Sequence, residues 1–338
     1  MEFAPFAYGV LAGRPLDAES AQTLMRAMIT GELTEGQIGA ALALLAAKGV
    51  SGAELAAFAA EVRAHATQVQ SSHPDLVDTC GTGGGASSFN ISTAAALIAA
   101  AAGVTIAKHC NRAVTSACGS ADVLEHLGVR IGSEPEQLLH MLDTVGIAFM
   151  FAPSHHPALK HVGKVRRELG FRTIFNMIGP LANPAGAKRQ LVGVFDPGIL
   201  RPMAEALAAL GTERAFIVHG NDGLDEISPI TSTSVCEVSD GNVIDRSLSP
   251  EDFELTPVSP SAIAPDDSIA GNAAILIEAI SDPDSARCRA VMPSAAAAIF
   301  LGGRAPDLKS AAAKAHESVA NGSAKRKLEA LAEASQAA

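Results

Sequence analysis

The residues best suited to chemistry begin at Val77-Asp78-Thr79-Cys80-Gly81-Thr82-Gly83-Gly84-Gly85-Ala86-Ser87-Ser88-Phe89-Asn90-Ile91-Ser92-Thr93. A short apolar run enters a glycine cluster. Small hydroxyl residues then lead into an alanine-rich helical pattern. That order reads as strand, phosphate-sized loop and helix start. Glycines let backbone N–H groups turn toward an anion, and a helix N-terminus adds unpaired N–H groups and the positive end of its dipole. A phosphate or pyrophosphate site is therefore expected between residues 81 and 93. No Lys follows the glycines, so this is not the triphosphate loop. Gly81, Gly83 and Gly84 also miss the dinucleotide spacing. A tight turn without a ligand is the competing reading of the glycines alone.

Two further polar loops follow apolar runs. Lys108-His109-Cys110-Asn111-Arg112 runs on to Thr115, Ser116, Ser120 and Asp122. Lys108 is a point charge for a phosphate, and Asn111, Thr115, Ser116 and Ser120 can each donate a hydrogen bond. Helix capping competes for Ser120 and Asp122, core packing for His109, and an ordinary ion pair for Arg112. The third loop, Gly220-Asn221-Asp222-Gly223-Leu224-Asp225-Glu226, ends in adjacent carboxylates. Mg²⁺ takes one or two carboxylates and leaves its other positions to water and substrate phosphates. A solvated turn is the plainer account of that pair. A fourth region holds Arg166, Arg167 and Arg172 beside apolar residues. Arginines there can grip a planar carboxylate, or simply sit on a helix C-terminal dipole.

The elements that must position these groups fall into two patterns. Residues 16–70 read as a small bundle of three short helices, with Asp17, Thr34 and Ser51 as caps. From 75 onward strands alternate with helices. Strands are expected at 75–79, 104–107, 147–151, 191–195, 214–219 and 233–238. Helices are expected near 92–102, 120–127, 135–145, 156–169, 201–210, 268–280 and 293–301, with two more after Asp307. Asn176 to Pro184 reads as a turn-rich linker. The fold class is α/β: a large domain with a mostly parallel central sheet flanked by helices, plus a small all-helical N-terminal domain. The boundary is expected near 72, giving domains 1–72 and 73–338. Ligands in such sheets sit past the carboxyl ends of the strands, where the three loops lie.

Composition narrows the chemistry. The 338 residues carry a formal net charge of -11, the opposite of a general nucleic-acid binder. Phosphate binding must then be local or metal-assisted. The five cysteines are scattered without a C-x-x-C pair, which argues against a disulfide framework or a structural zinc site and for a reducing cytoplasm. Met1-Glu2-Phe3-Ala4-Pro5 has no basic n-region, so no secretory leader is expected. The apolar run Ala94 to Val104 is too short to span a bilayer.

Several motifs, in order along the chain, resemble the anthranilate phosphoribosyltransferase family. They are Asp78-x-x-Gly81-Thr82-Gly83-Gly84, Asn90-Ile91-Ser92-Thr93, Lys108-His109-x-Asn111-Arg112, Gly119-Ser120-Ala121-Asp122-Val123-Leu124, Arg172-Thr173-Ile174-Phe175-Asn176, Gly179-Pro180-Leu181-x-Asn183-Pro184 and His219-Gly220…Gly223-Leu224-Asp225-Glu226. Gly31-Glu32-Leu33-Thr34, Gln37-Ile38-Gly39-Ala40 and Lys48-Gly49 look like its small helical domain. The resemblance implies a homodimer through the small domains, with residues near 155–185 joining the small domain in space. It implies transfer of a phosphoribosyl group from 5-phosphoribosyl 1-diphosphate to anthranilate in tryptophan synthesis, with Mg²⁺ required. Neither nucleic acid nor membrane is an expected partner.

Carried over residue by residue, the resemblance assigns the diphosphate substrate to Gly81, Gly84, Gly85, Ser88, Asn90, Ile91, Ser92, Thr93, Lys108, His109, Asn111, Arg112, Ala113, Ser116 and Ser120. It assigns anthranilate to Gly81, Asn111 and Arg166, with His109 and Pro180 nearby, and Mg²⁺ to Ser92, Asp225 and Glu226. No side chain is assigned as an acid–base catalyst. Four positions depart from the family pattern. Gly85 stands where Asp is common, in a loop one residue short before Asn90. Cys110 replaces a usual Gly, Ala117 a frequent Lys, and Ser294 a frequent Asn, this last read as structural. The rivals are a pyrimidine nucleoside phosphorylase, which would not need the carboxylate pair with Mg²⁺, and a non-catalytic nucleic-acid-binding relative, which would need a basic groove.

Overall fold

The computed structural model describes residues 2–112 and 118–337. The chain opens with α1 (Phe3–Leu11), α2 (Ala18–Ile29), α3 (Glu35–Lys48) and α4 (Gly52–Ala64). Asp17 caps α2 by accepting from the Ser20 amide, and Thr34–Gln37 and Ser51–Glu54 close capping boxes on α3 and α4. Helix α1 is an addition to the three expected helices. It has no side-chain cap and is held by the buried Phe6 and Val10.

The α/β part runs β1 (Val77–Asp78), α5 (Ile91–Ala101), β2 (Ile106–Cys110), α6 (Ser120–His126), α7 (Pro135–Thr144), β3 (Ile147–Phe151), α8 (Ala152–His155), α9 (Lys160–Leu169), α10 (Ile174–Leu181) and β4 (Arg189–Gly193). It continues α11 (Leu200–Ala209), β5 (Arg214–Gly220), β6 (Thr233–Ser239), β7 (Asn242–Leu248), α12 (Ile269–Ser281), α13 (Ala286–Leu301), α14 (Leu308–Ala320) and α15 (Ser323–Gln336). Among the described residues the strands form one sheet in the order β3-β2-β1-β4-β5-β6-β7. Strands β1 to β5 are parallel, and β6 and β7 are antiparallel additions. Strand order reverses between β1 and β4, the switch point at which such sheets open a crevice. The glycine loop leaves β1 there. Helices α5 and α13 pack against one another, and their alanines Ala94 to Ala96 and Ala295 to Ala298 are buried in the main core.

Four expectations need correction. Strand β2 pairs with β3 as far as Cys110↔Phe151, so Lys108, His109 and Cys110 are buried strand residues rather than loop residues. Asn176–Pro184 is not a linker. Residues 174–181 form α10, whose Ile174, Phe175 and Ile178 are core residues. Its Pro180 sits one residue from the end, where a lost N–H and the ring clash terminate the helix rather than break it. Helix α13 starts at Ala286, capped by Ser285, and not near 293. Strand β7 is additional to the expected strands. It closes a hairpin through Asp240-Gly241, both at positive φ.

Two smaller apolar clusters lie outside the main sheet core. One unites α1–α4 with Val162 and Val165 of α9 and with Ile174, Phe175 and Ile178 of α10. The other joins Leu55 and Ala59 of α4 and Leu181 of α10 to α11 and the sheet.

Candidate active site

The floor of the crevice is built on two buried charged side chains, Lys108 and Asp78, each held by its own partners. Lys108 is almost wholly buried on β2, and its Nζ donates to the Thr79 carbonyl and to Ser92 Oγ (3.2 Å). Asp78 on β1 is fully buried. It accepts from the His109 amide (3.0 Å) and from Asn183 Nδ2 (2.7 Å), which also reaches the Ala107 carbonyl (2.8 Å). Burial pushes the Asp78 carboxyl up to about 6, while Lys108 and these donors pull the other way. Pinned at both ends, the Lys108 ammonium is a fixed charge at the head of α5.

Over this floor the glycine loop interlocks with the loop after β5. Thr82 N donates to the Gly193 carbonyl (2.8 Å) and Ala86 N to the Gly223 carbonyl (2.7 Å). A Cβ on Gly85 would lie 2.6 Å from the amide nitrogen and Oδ1 of Asp225, and one on Gly193 would overlap the Asp225 carbonyl. Both positions need glycine for this approach. Burial raises the Asp225 carboxyl, opposed by the Asp225 and Gly85 amides and by the charges of His219 and Arg172. Glu226 is pushed up to about 7 by burial and by Asp225. Opposing that, Lys108 adds its charge, Ser294 Oγ donates at 3.0 Å, and the Ser92 amide donates from the start of α5.

The glycine loop, the end of β2 and the loop after β5 therefore meet: Lys108 meets Ser92, Ser92 meets Glu226, and Gly85 meets Asp225. Asn90 caps α5 without a side-chain cap bond. Its Nδ2 donates to the Cys118 carbonyl (3.4 Å), and its buried Oδ1 has no partner. Thr93 Oγ1 donates to Ser120 Oγ (2.9 Å), joining α5 to the first residue of α6. Ser88 is half-buried beside this loop, and Gly81 and Gly84 are exposed on its rim. Ile91 offers little to a ligand, since its side chain is in the core and its amide donates to Phe89 O (2.6 Å). Asn111 is exposed, with Oδ1 accepting from the Arg112 amide (2.8 Å). Arg112 is engaged elsewhere, bonding Asp122 (2.9 Å) and Glu125 (2.6 Å). Asp122 Oδ2 also accepts from the Gly119 amide, so the capping reading holds for it. Ala113 and Ser116, like Thr115 and Ala117, lie outside the described residues.

On the side of α9 and α10 the character changes. His109 Nδ1 meets the Gly179 carbonyl (3.0 Å), its Nε2 is buried without a partner, and its ring lies 5.2 Å from that of His156. Burial, then His156, pushes the His109 imidazole down to about 3; burial, then His155, pushes His156 down to about 4. Both are neutral rings at neutral pH. Arg166 projects from α9 with its guanidinium 5.3 Å from the Phe175 ring centroid, and burial lowers its pKa. Among the described residues no carboxylate pairs with it.

Two contributors escape a reading of the sequence. Ser294, read from the sequence only as structural, is a contact of Glu226, and a lone hydroxyl in the alanine-rich run of α13 is its signal. Gly193 is the other, and its signal is a glycine closing a strand at the ligand edge.

Residues 73–325 match the model of the glycosyl transferase family, a/b domain, and residues 9–66 that of the glycosyl transferase family, helical bundle domain. The α/β sheet domain and the helical bundle described above are those of that class. An anthranilate phosphoribosyltransferase of Methanocorpusculum labreanum is 48% identical, covering 94% of this chain and 93% of its own length. One of Rubrobacter xylanophilus is 47% identical, over 94% and 93%. The crystal structure of anthranilate phosphoribosyltransferase from Thermus thermophilus superposes with a TM-score of 0.92 at 38% identity, covering 98% of this chain and 99% of that one. The Saccharomyces cerevisiae enzyme in complex with PRPP and Mg gives 0.87 at 26%, over 99% and 98%. The chain belongs to the anthranilate phosphoribosyltransferase family.

Proposed function

We propose that this protein transfers the 5-phosphoribosyl group from 5-phosphoribosyl 1-diphosphate to the amine of anthranilate, releasing pyrophosphate. One observation carries the reading: the Asp225-Glu226 pair is bound by the amides of Gly85 and Ser92, so the carboxylates and the anion cradle are one structure. That is what a metal-bound diphosphate requires and what a phosphorolytic nucleoside enzyme does not. A net charge of -11 speaks against the nucleic-acid-binding alternative.

The donor set fits Mg²⁺. Two adjacent carboxylates repel one another strongly enough to help hold Glu226 near 7, a repulsion that a hard dication relieves. Mg²⁺ takes one or two carboxylates and its other ligands from water and substrate phosphates. Asp225, Glu226 and Ser92 would hold it. When bound there, Mg²⁺ supplies neutralisation of the charge that builds on the departing pyrophosphate.

The protein's own groups do the rest. Gly81, Gly84 and Gly85 leave room beside the backbone for the phosphates, and Asn90, Ser92, Thr93 and Ser120 offer side-chain polar groups. Lys108 holds a fixed positive charge beside the leaving group. Anthranilate's aromatic amine is neutral at pH 7, so attack needs position more than a base. Arg166 would orient its carboxylate, with Gly81, Asn111, the neutral His109 and Pro180 around it. The protein would act as a homodimer through the small domain, to which α9 and α10 contribute core residues. Tyr8 (71% exposed) and Leu11 (66%) on α1 offer apolar surface for that contact. Among the described residues no helix is long and apolar enough to cross a membrane. All five cysteines are free thiols, which supports a reducing cytoplasm.

The test is the loss of anthranilate fluorescence with phosphoribosyl diphosphate, with and without Mg²⁺, beside thymidine or uridine plus phosphate. Mg²⁺-dependent anthranilate consumption is expected. Phosphorolysis of the nucleosides alone would overturn the reading.

A further inference from the structure

Arg172 lies in the two-helix segment that bears Arg166, yet its side chain belongs to the donor loop. It sits in the connection between α9 and α10, whose apolar residues pack with α1–α4. From there its Nη2 donates to the Gly84 carbonyl of the glycine loop. Its guanidinium lies over the Phe195 ring, 4.0 Å from the centroid. Phe195 in turn donates its amide to Thr82 Oγ1 (3.1 Å), while the Thr82 amide bonds Gly193 (2.8 Å). The contacts close a ring: Thr82, Phe195, Arg172, Gly84. A Cβ on Gly84, which is at φ +85°, would come 2.7 Å from Arg172 Nη2, so the loop is shaped to admit the guanidinium.

We propose that Arg172 is a positioning residue that clamps the glycine loop from the α9–α10 segment and so couples the acceptor-bearing helices to the diphosphate cradle. This rests on the functional reading above. A carbonyl drawn outward by Arg172 fixes the peptide planes of residues 84 and 85, and the Gly85 amide faces Asp225. With the clamp released, that amide and the rim of the cradle lose their set orientation. The planar guanidinium stacks on Phe195 and donates to Gly84 together, which a lysine ammonium cannot do.

Arg172→Ala is expected to raise the KM for phosphoribosyl diphosphate by about tenfold or more, the worth of one charge-assisted hydrogen bond. The anthranilate KM should change far less, and the thermal midpoint little, because the side chain is exposed. Arg172→Lys should restore only a small part. Added guanidinium at low millimolar concentration should recover part of kcat/KM in the alanine variant, and ammonium should not. Unchanged diphosphate KM and kcat in an active, folded Arg172→Ala protein would overturn the clamp alone. So would equal losses for both substrates with a matching fall in thermal midpoint and no guanidinium rescue. A wild-type protein with no anthranilate turnover would overturn the functional reading and the clamp with it.

Discussion

Glu226 has three donors or cations around it and one like charge beside it, and only the last can be relieved by a bound dication. Asp225→Asn with Glu226→Gln keeps shape and removes both charges. Turnover should fall by about 10²–10³-fold with the circular dichroism spectrum intact, since leaving-group stabilisation is the main lever here. Near-normal turnover would remove the metal role from the pair. Arg166 lacks a protein carboxylate among the described residues, so its guanidinium is open to a substrate's. Arg166→Ala should raise the anthranilate KM about tenfold or more and the diphosphate KM much less, the loss of one charged hydrogen-bonded contact. Equal effects on both substrates would take it out of the acceptor site. At this scale the sequence is most legible where side-chain type alone dictates chemistry. Lys108, Ser92 and Glu226 lie in contact, with Asp225 beside them. It is least legible where a partner decides. Nothing in the sequence near Arg112 says that Glu125 would engage it, and nothing near Ser294 says that Glu226 would arrive.

At the scale of elements, capping chemistry reads well because it is local: Asp17, Thr34 and Ser51 each act within three residues. Elements held by distant contacts read poorly. Helix α10 carries a Gly-Pro pair that signals a turn, and only its burial against α1–α4 and α9 makes it a helix. Strand β2 continues through polar Lys108 and His109 because β3 pairs with it, the Lys108 ammonium reaches the Thr79 carbonyl and Ser92, and His109 Nδ1 meets the Gly179 carbonyl. The glycine loop is where geometry bears on a departure that the resemblance singles out. The resemblance would put an Asp at position 85, yet any Cβ there meets the Asp225 backbone. Gly85→Ala should therefore weaken diphosphate binding about tenfold, a typical overpacking cost transferred to the loop. Gly85→Asp should not improve on wild type. Calorimetric titration with phosphoribosyl diphosphate and Mg²⁺ measures both, and a tighter-binding aspartate variant would contradict the geometry.

Across the whole molecule, buried titratable groups set a pH signature. His109 and His156 are pushed down to about 3 and about 4 in the fold, against 6.5 ordinarily. Between those values the unfolded chain binds protons that the native one refuses, so their contribution to stability is lost as pH falls below 6.5. Asp78, pushed up to about 6, acts in the opposite sense and offsets part of this. From about pH 7 to about pH 5, His156→Gln should lose roughly 1–2 kcal/mol less stability than wild type in urea unfolding. Equal losses would mean that His156 is protonated in the fold.

The division of the apolar clusters also bears on how the chain is made. Residues of α1–α4 leave the ribosome well before Val162, Val165, Ile174, Phe175 and Ile178, which complete their packing. Three strands of the sheet are synthesised in between. The N-terminal bundle must wait, partly unsatisfied, while its neighbour is half translated. Nascent-chain folding here should thus end with a long-range return to the beginning rather than proceed one domain after another.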